Sequence, residues 1–282
     1  MPGLQAESIQ WIGVAALAVI LCGLFNKNHS GVTRYWAARR IKRAAGSYLE
    51  LKTRNYDIKY TVYDNEHIAE IANVAEVAYD LVGNFFGGKP ERKIPLMVYE
   101  DSTSLASSFG WERDQKAAGV YWKGTICILS PRFYVKNTEQ LTKKFLTQGP
   151  LVHELAHLWV DDMTRGNCPR WWTEGIAQYA ERELTGFIFG NPFTEKREFT
   201  YYTLAELENA FDNLDKSIAY WESLRFVDFM VQKYGAGCMF AIMKALRRNG
   251  KIFQAIEEVT DMKYNVFQQL FYQDLEINRR EV

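Results

Sequence analysis

Residues 150–179 have the sequence PLVHELAHLWVDDMTRGNCPRWWTEGIAQY, and this stretch contains two of the four histidines in the chain. His153 and His157 lie four positions apart on a mostly apolar segment. Side chains at positions i and i+4 share one face of a helix, so the two imidazoles can reach one metal ion. Glu154 is rotated from that face by about one residue's turn, which suits contact with a metal-bound water. The pattern predicts a buried helix carrying a catalytic metal site.

A second element is expected to supply the third ligand, because a catalytic zinc usually has three protein ligands. The chain has only four histidines, and the other two, His29 and His67, lie far upstream. A carboxylate is therefore expected, and Glu174 follows the second motif histidine by 17 positions. That spacing allows a turn followed by a second helix. The small residues Gly175 and Ala177 on this second helix would allow it to pack closely against a neighbouring helix.

A purely structural role for these residues, without a metal ion, stays open as the alternative. A motif with three fixed positions occurs by chance in unrelated proteins, and a glutamate near a helix start is usually solvated. Three polar side chains on an apolar helix nevertheless need partners, and a shared cation would provide them.

The two segments HELAHLW and WWTEGIAQY together resemble the gluzincins, zinc peptidases whose ligands are two histidines and one glutamate. The resemblance is greatest to the aminopeptidase N type and to bacterial peptidase MA-like domain proteins, within the thermolysin-like superfamily. It runs from about residue 48 to residue 276. It implies a zincin-like catalytic domain that binds zinc through the motif histidines and Glu174. It also implies that Glu154 is the general base.

The same resemblance implies a tyrosine that donates a hydrogen bond to the reaction's oxyanion, on a helix after the third ligand. Residues 219–224 (AYWESL) resemble that segment, so Tyr220 is the candidate catalytic tyrosine, although a core tyrosine is the alternative. Gln178 or Asp161 is a weaker candidate for orienting a ligating histidine.

The sequence also departs from the aminopeptidases. The spacing between the second histidine and Glu174 is slightly shorter, and no Gly-x-Met-Glu-Asn segment is present to bind a free amino terminus. These departures weaken the aminopeptidase interpretation and leave an endopeptidase or a hydrolase of an unknown amide. A zinc hydrolase for a non-peptide amide and a catalytically silent binding or scaffold module stay open. The stretch 119–129 is the candidate strand for pairing with an extended peptide, or is an ordinary strand.

The order of the predicted elements indicates an α+β protein, with a small mixed sheet followed by a helical C-terminal part. Alternating or continuous apolar runs predict the strands, and 3.6-residue periodicity predicts the helices. The predicted strands are 57–63, 93–99 and 119–129, the last with a bend at Lys123–Gly124. The predicted helices are 65–86, 138–147, 150–163, 172–184, 204–212, 217–234, 237–248 and 263–279.

The N-terminal region predicts a membrane tether. After a short tail, residues 1–8, the stretch 9–25 is apolar except for one glutamine and is predicted to be a transmembrane helix through a lipid bilayer. Residues 26–47 carry six Lys or Arg and no acidic residue, as in a juxtamembrane segment. A buried core helix and a solvated basic face are the alternatives. Basic residues after the anchor favour a cytoplasmic catalytic domain at residues 48–282, whereas the resemblance favours the opposite side.

The overall composition limits the partners. The formal net charge is zero, from 34 basic and 34 acidic residues, which gives no basic surface for nucleic acid. We therefore expect a peptide or protein substrate and no nucleic acid.

Overall fold

The computed structural model describes residues 48–109, 117–135, 140–193 and 200–278. The described chain is an α+β protein in which one sheet is followed by a mainly helical part. The strands are β1 (Leu49–Lys52), β2 (Tyr56–Tyr60), β3 (Ile94–Tyr99), β4 (Gly119–Trp122) and β5 (Thr125–Leu129). The helices are α1 (Ile68–Phe86), α2 (Ser102–Phe109), α3 (Leu141–Gln148), α4 (Leu151–Thr164), α5 (Arg170–Thr185), α6 (Leu204–Ala210), α7 (Lys216–Tyr234), α8 (Gly237–Arg247), α9 (Ile252–Thr260) and α10 (Tyr264–Asn278).

The five strands form one mixed sheet in the order β1-β2-β3-β5-β4. Strands β2, β3 and β5 are parallel, and β1 and β4 pair antiparallel at the two edges. All five residues of β5 (TICIL) are buried, as expected for a strand that is covered on both faces. The predicted bend between β4 and β5 is confirmed, because Lys123 and Gly124 have positive φ angles of 45° and 90°.

The described chain divides into two compact units, each with its own apolar core. The first contains the described residues up to Trp159 together with Ala180–Gly190, and thus the whole sheet. In this unit, α1 buries the face that includes Ile71, Val74 and Ala78. The 3.6-residue spacing of these side chains is what predicted the helix.

The second unit contains Val160–Tyr179 and the described residues from Asn191 onward. Its core is rich in aromatic side chains, and Phe226 on α7 lies at its centre. The Phe226 ring makes edge-on contacts with Trp171 at 4.9 Å and with Phe271 at 5.0 Å between centroids. Such contacts stabilise a core beyond the burial of apolar area alone.

The predicted membrane tether lies outside the described residues. Neither the anchor at residues 9–25 nor the basic segment at 26–47 is described, so both stay predictions. Within the described ranges, no helix combines the length and the apolar character needed to cross a membrane.

Candidate metal centre

Helix α4 carries the histidine motif in an almost fully buried position. Pro150 precedes its first residue, and the Pro150 carbonyl accepts the Glu154 backbone N–H at 3.0 Å. His153 and His157 are each 6% exposed, and Glu154 is 0% exposed. The helix ends at Thr164 and is followed by Gly166 with a φ of 77°, close to the predicted end. The left-handed conformation at this position is one that glycine adopts without strain.

The two imidazole rings face a common point. Their Nε2 atoms lie 3.1 Å apart. Two nitrogens on a tetrahedral zinc, at about 2.0–2.1 Å each, would be about 3.3 Å apart. The observed separation therefore fits a shared metal ion.

Glu181 fixes the orientation of the first ring. Its Oε2 atom lies 3.0 Å from His153 Nδ1, and both side chains are buried. A carboxylate at this nitrogen favours the tautomer with the proton on Nδ1, which leaves the Nε2 lone pair directed at the common point.

Helix α5 contributes the third member of the cluster. Glu174 is 1% exposed. One ligand atom from each of His153, His157 and Glu174 lies within 4.8 Å of the other two. Two imidazole nitrogens and one carboxylate oxygen form the donor set of many catalytic zinc sites. The structure therefore brings the three predicted ligands together as a candidate metal-binding cluster.

A charged network surrounds the Glu174 carboxylate. The Tyr220 hydroxyl donates to Glu174 Oε1 at 3.1 Å and accepts from Arg170 Nη2 at 3.2 Å. Arg170 Nε also approaches Glu174 Oε1 at 3.4 Å, and Arg170 Nη1 donates to Asp212. Burial, followed by the nearby Glu174 carboxylate, raises the pKa of Tyr220 well above its usual value. Tyr220 therefore remains a proton donor at neutral pH.

Helices α5 and α7 approach closely at Gly175. A Cβ atom at this position would lie 2.3 Å from the backbone oxygen of Ser223, so only glycine fits. The Gln178 amide donates to the Tyr220 carbonyl oxygen at 2.9 Å and to the Glu174 carbonyl oxygen at 3.2 Å. Gln178 thus joins the backbones of the two helices that carry Glu174 and Tyr220.

The edge strand β4 lies against the start of α4. A Cβ atom on Gly119 would lie 2.6 Å from Pro150 Cβ and 2.9 Å from Glu154 Cγ. The Tyr121 ring is stacked with the His157 ring at 6.5 Å between centroids. Of the stretch 119–129 suggested for substrate pairing, β4 is therefore an edge strand next to Glu154 and His157, whereas β5 lies inside the sheet between β3 and β4.

Glu181 and Arg170 were not identified from the sequence. Glu181 lies seven positions after Glu174, two helical turns along the same face, and Arg170 lies one turn before it. This helical spacing was the feature of the sequence that could have identified both residues as neighbours of Glu174. The prediction for Asp161 is untested.

A buried pair of histidines and a buried glutamate whose ligand atoms lie within 4.8 Å of one another is the arrangement of a candidate metalloenzyme. The family model of the peptidase MA superfamily matches residues 80–271, which is more than half of the chain and includes the whole cluster. The chain belongs to the peptidase MA superfamily, and this membership suggests a metallopeptidase. A search of curated proteins found no match.

Proposed function

We propose that this chain is a membrane-anchored zinc metallopeptidase of the gluzincin type, with a zincin-like catalytic domain that hydrolyses peptide bonds. The convergence of His153, His157 and Glu174 within 4.8 Å carries the metallopeptidase part of the proposal, and the apolar stretch 9–25 is the sequence feature behind the anchor. Membership of the peptidase MA superfamily supports it independently of this geometry.

These three residues would hold the zinc. Imidazole and carboxylate ligands suit zinc, and three protein ligands leave a coordination position open. Bound zinc would polarise the substrate carbonyl and lower the pKa of water to about 7.

Glu154 is the proposed general base. Its carboxylate lies on α4 next to His153, and the backbone at Gly119 leaves room for it. One carboxylate oxygen accepts a proton from the attacking water, and the same group then donates it to the leaving nitrogen. Burial of Glu154 excludes competing bulk water from this transfer, which strengthens the electrostatic interactions of the carboxylate.

Tyr220 is the proposed donor to the developing oxyanion. Its protonated hydroxyl lies 3.1 Å from a Glu174 oxygen and is also held by Arg170. A donor aimed at developing charge contributes about 3–4 kcal/mol in comparable sites. Arg170 adds a positive charge next to the phenol, which favours negative charge on the reacting oxygen.

Strand β4 is the proposed substrate-binding strand. An edge strand can pair with an extended peptide through main-chain hydrogen bonds, which give affinity with little sequence selectivity. An endopeptidase with broad sequence preference fits this arrangement.

The test begins with the full chain purified in detergent. We expect one bound zinc per chain, and hydrolysis of a casein-type substrate that a chelator abolishes and added zinc restores. Stoichiometric zinc without turnover of broad peptide pools would favour a binding or scaffold module. Turnover of only non-peptide amides would favour a different zinc hydrolase.

Two substitutions separate binding from chemistry. Glu154→Gln removes the base but no ligand, so we expect it to retain zinc and lose activity. His157→Ala removes a ligand, so zinc and activity are both lost. Unchanged activity in Glu154→Gln would end the proposed mechanism.

A further inference from the structure

Exposed apolar side chains are concentrated at one edge of the sheet. Among the described residues, seven large hydrophobic side chains are exposed, and four of them belong to this edge. They are Leu49, Val62, Tyr63 and Phe133, with exposures of 39%, 77%, 38% and 45%. We name these four residues the edge patch.

The strand register places the edge patch on one side of the first unit. Leu49 begins β1 and pairs with Tyr60, the last residue of β2. Val62 and Tyr63 come shortly after the end of β2, and Phe133 comes shortly after the end of β5. Because β2, β3 and β5 are parallel, their C-terminal ends meet at the same edge of the sheet.

The two loops of the edge patch are braced against each other. The buried Ser130 hydroxyl donates to Asp64 Oδ1 at 2.5 Å. Arg132 donates to the Tyr63 carbonyl oxygen, and its guanidinium lies 4.5 Å from the centroid of the Tyr63 ring. Val62 and Phe133 lie on short 3-10 turns on either side of these contacts. These contacts fix the two turns that carry Val62, Tyr63 and Phe133, and exposed apolar side chains that are grouped on one side are typical of an interaction surface.

The chain itself indicates what covers this surface. Tyr48, the first described residue, enters at the edge patch, next to Leu49. The 47 residues before it include the predicted anchor at 9–25 and a segment with six basic and no acidic residues. Residues 26–47 join this anchor to Tyr48, so a bilayer that holds the anchor would lie within reach of the point where the folded unit begins.

We infer that the edge patch docks on the lipid bilayer and orients the folded unit on the membrane. Val62 and Phe133 would enter the apolar boundary, while Tyr63 and Arg132 suit the headgroup region. Exposed Glu50 lies beside the patch, so zwitterionic lipid is the expected partner and anionic lipid is not required. This inference extends the predicted anchor and does not depend on the proposed peptidase activity.

The test reconstitutes the full chain into phosphatidylcholine vesicles with a fluorophore at one introduced cysteine. Cys22→Ala and Cys168→Ala form the background, since Cys127 and Cys238 are 0% and 4% exposed and should not react. The probe positions are Val62→Cys and Phe133→Cys. The matched controls are Val77→Cys on α1 and Val266→Cys on α10, whose valines are 40% and 44% exposed.

The readout is quenching by brominated phosphatidylcholine, which reports proximity to acyl chains. We expect at least threefold stronger quenching at positions 62 and 133 than at positions 77 and 266. Equal quenching at all four positions would overturn the inference, as would failure of the chain to float with the vesicles. If the probe signal changes with the number of protein chains per vesicle and not with the fraction of brominated lipid, the edge patch is a contact between two copies of this chain. Zinc content and hydrolysis, measured on the same samples, test the proposed function separately.

Discussion

At the scale of single residues, Glu181 is a positioning residue for the metal centre. We predict that Glu181→Gln lowers zinc affinity about tenfold, at the lower end of the 10–100-fold effect of such partners. Glutamine can still accept a hydrogen bond from His153 Nδ1 but has lost the negative charge that strengthens the ligand. Zinc affinity is measured by competition with a chromophoric chelator.

Glu183→Gln is the matched control on the same helix. The Glu183 side chain is 46% exposed and pairs with the neighbouring Arg182, so the variant should bind zinc like the wild type. Equal zinc affinity in Glu181→Gln and the wild type would show that the contact with His153 does not support the site.

A second buried carboxyl, Glu222, makes stability depend on pH. It is 0% exposed and accepts the Tyr202 backbone N–H at 2.8 Å. Burial raises the pKa of Glu222 from 4.5 to about 8, against the lowering effect of the Tyr202 hydrogen bond. The unfolded chain loses this proton near pH 4.5, whereas the folded chain keeps it until about pH 8. This stabilising contribution is therefore complete below pH 4.5 and is lost as the pH rises to 8.

We predict that Glu222→Gln removes this dependence. Between pH 4.5 and about 8, the free energy of unfolding of the wild type should fall by up to about 1.4 kcal/mol per pH unit relative to that of the variant. Denaturant titrations at a series of pH values measure the difference. In the control Asp80→Asn, an exposed carboxyl whose pKa is lowered by its hydrogen bond from Lys89 is changed, so the loss between pH 4.5 and 8 should persist. Parallel pH curves for the wild type and Glu222→Gln would contradict the prediction.

At the scale of elements, the close approach of α5 and α7 sets the position of Glu174 relative to Tyr220. We predict that Gly175→Ala destabilises the fold by about 1–3 kcal/mol, because its Cβ would meet the Ser223 backbone and the helices would have to separate. Gly237→Ala on α8 is the control, since a Cβ there has nothing within 4 Å. Urea unfolding measures both variants. A Gly175→Ala protein as stable as Gly237→Ala would show that the contact is not needed.

The helices and strands differ in how accurately their positions were predicted from the sequence. The long helices α1 and α7 were predicted to within three residues. Strand β1 was missed because LELK is mostly exposed and has no buried alternation. Helix α2 (STSLASSF) was missed because small polar residues dominate it, and α9 was also missed.

The same limit applies to the candidate site. The spacing of the histidines and Glu174 predicted a cluster, and the structure shows one. Glu181 and Arg170 were not predicted because a charged residue on a helix is usually solvated. Only the packing of other chain segments shows that Glu181 is buried, that Arg170 is partly buried and that both are paired.

At the scale of the whole molecule, the sheet and the two apolar cores are built within residues 48–278. Strand β1 completes the sheet from Leu49, and Tyr48 packs edge-on against Tyr99 at 6.0 Å between ring centroids. We predict that a chain lacking residues 1–47 unfolds cooperatively and binds zinc with wild-type affinity, because no described core residue is removed.

The same truncated chain should bind vesicles only weakly and reversibly. The edge patch offers four partly exposed side chains, whereas the full chain adds about 17 apolar residues, enough to span a bilayer. Flotation of both chains with phosphatidylcholine vesicles, with and without the double substitution Val62→Glu and Phe133→Glu, separates the two contributions. The substitution should abolish the residual flotation of the truncated chain and leave that of the full chain unchanged. Equal flotation of the truncated and full chains would refute an anchor at residues 9–25.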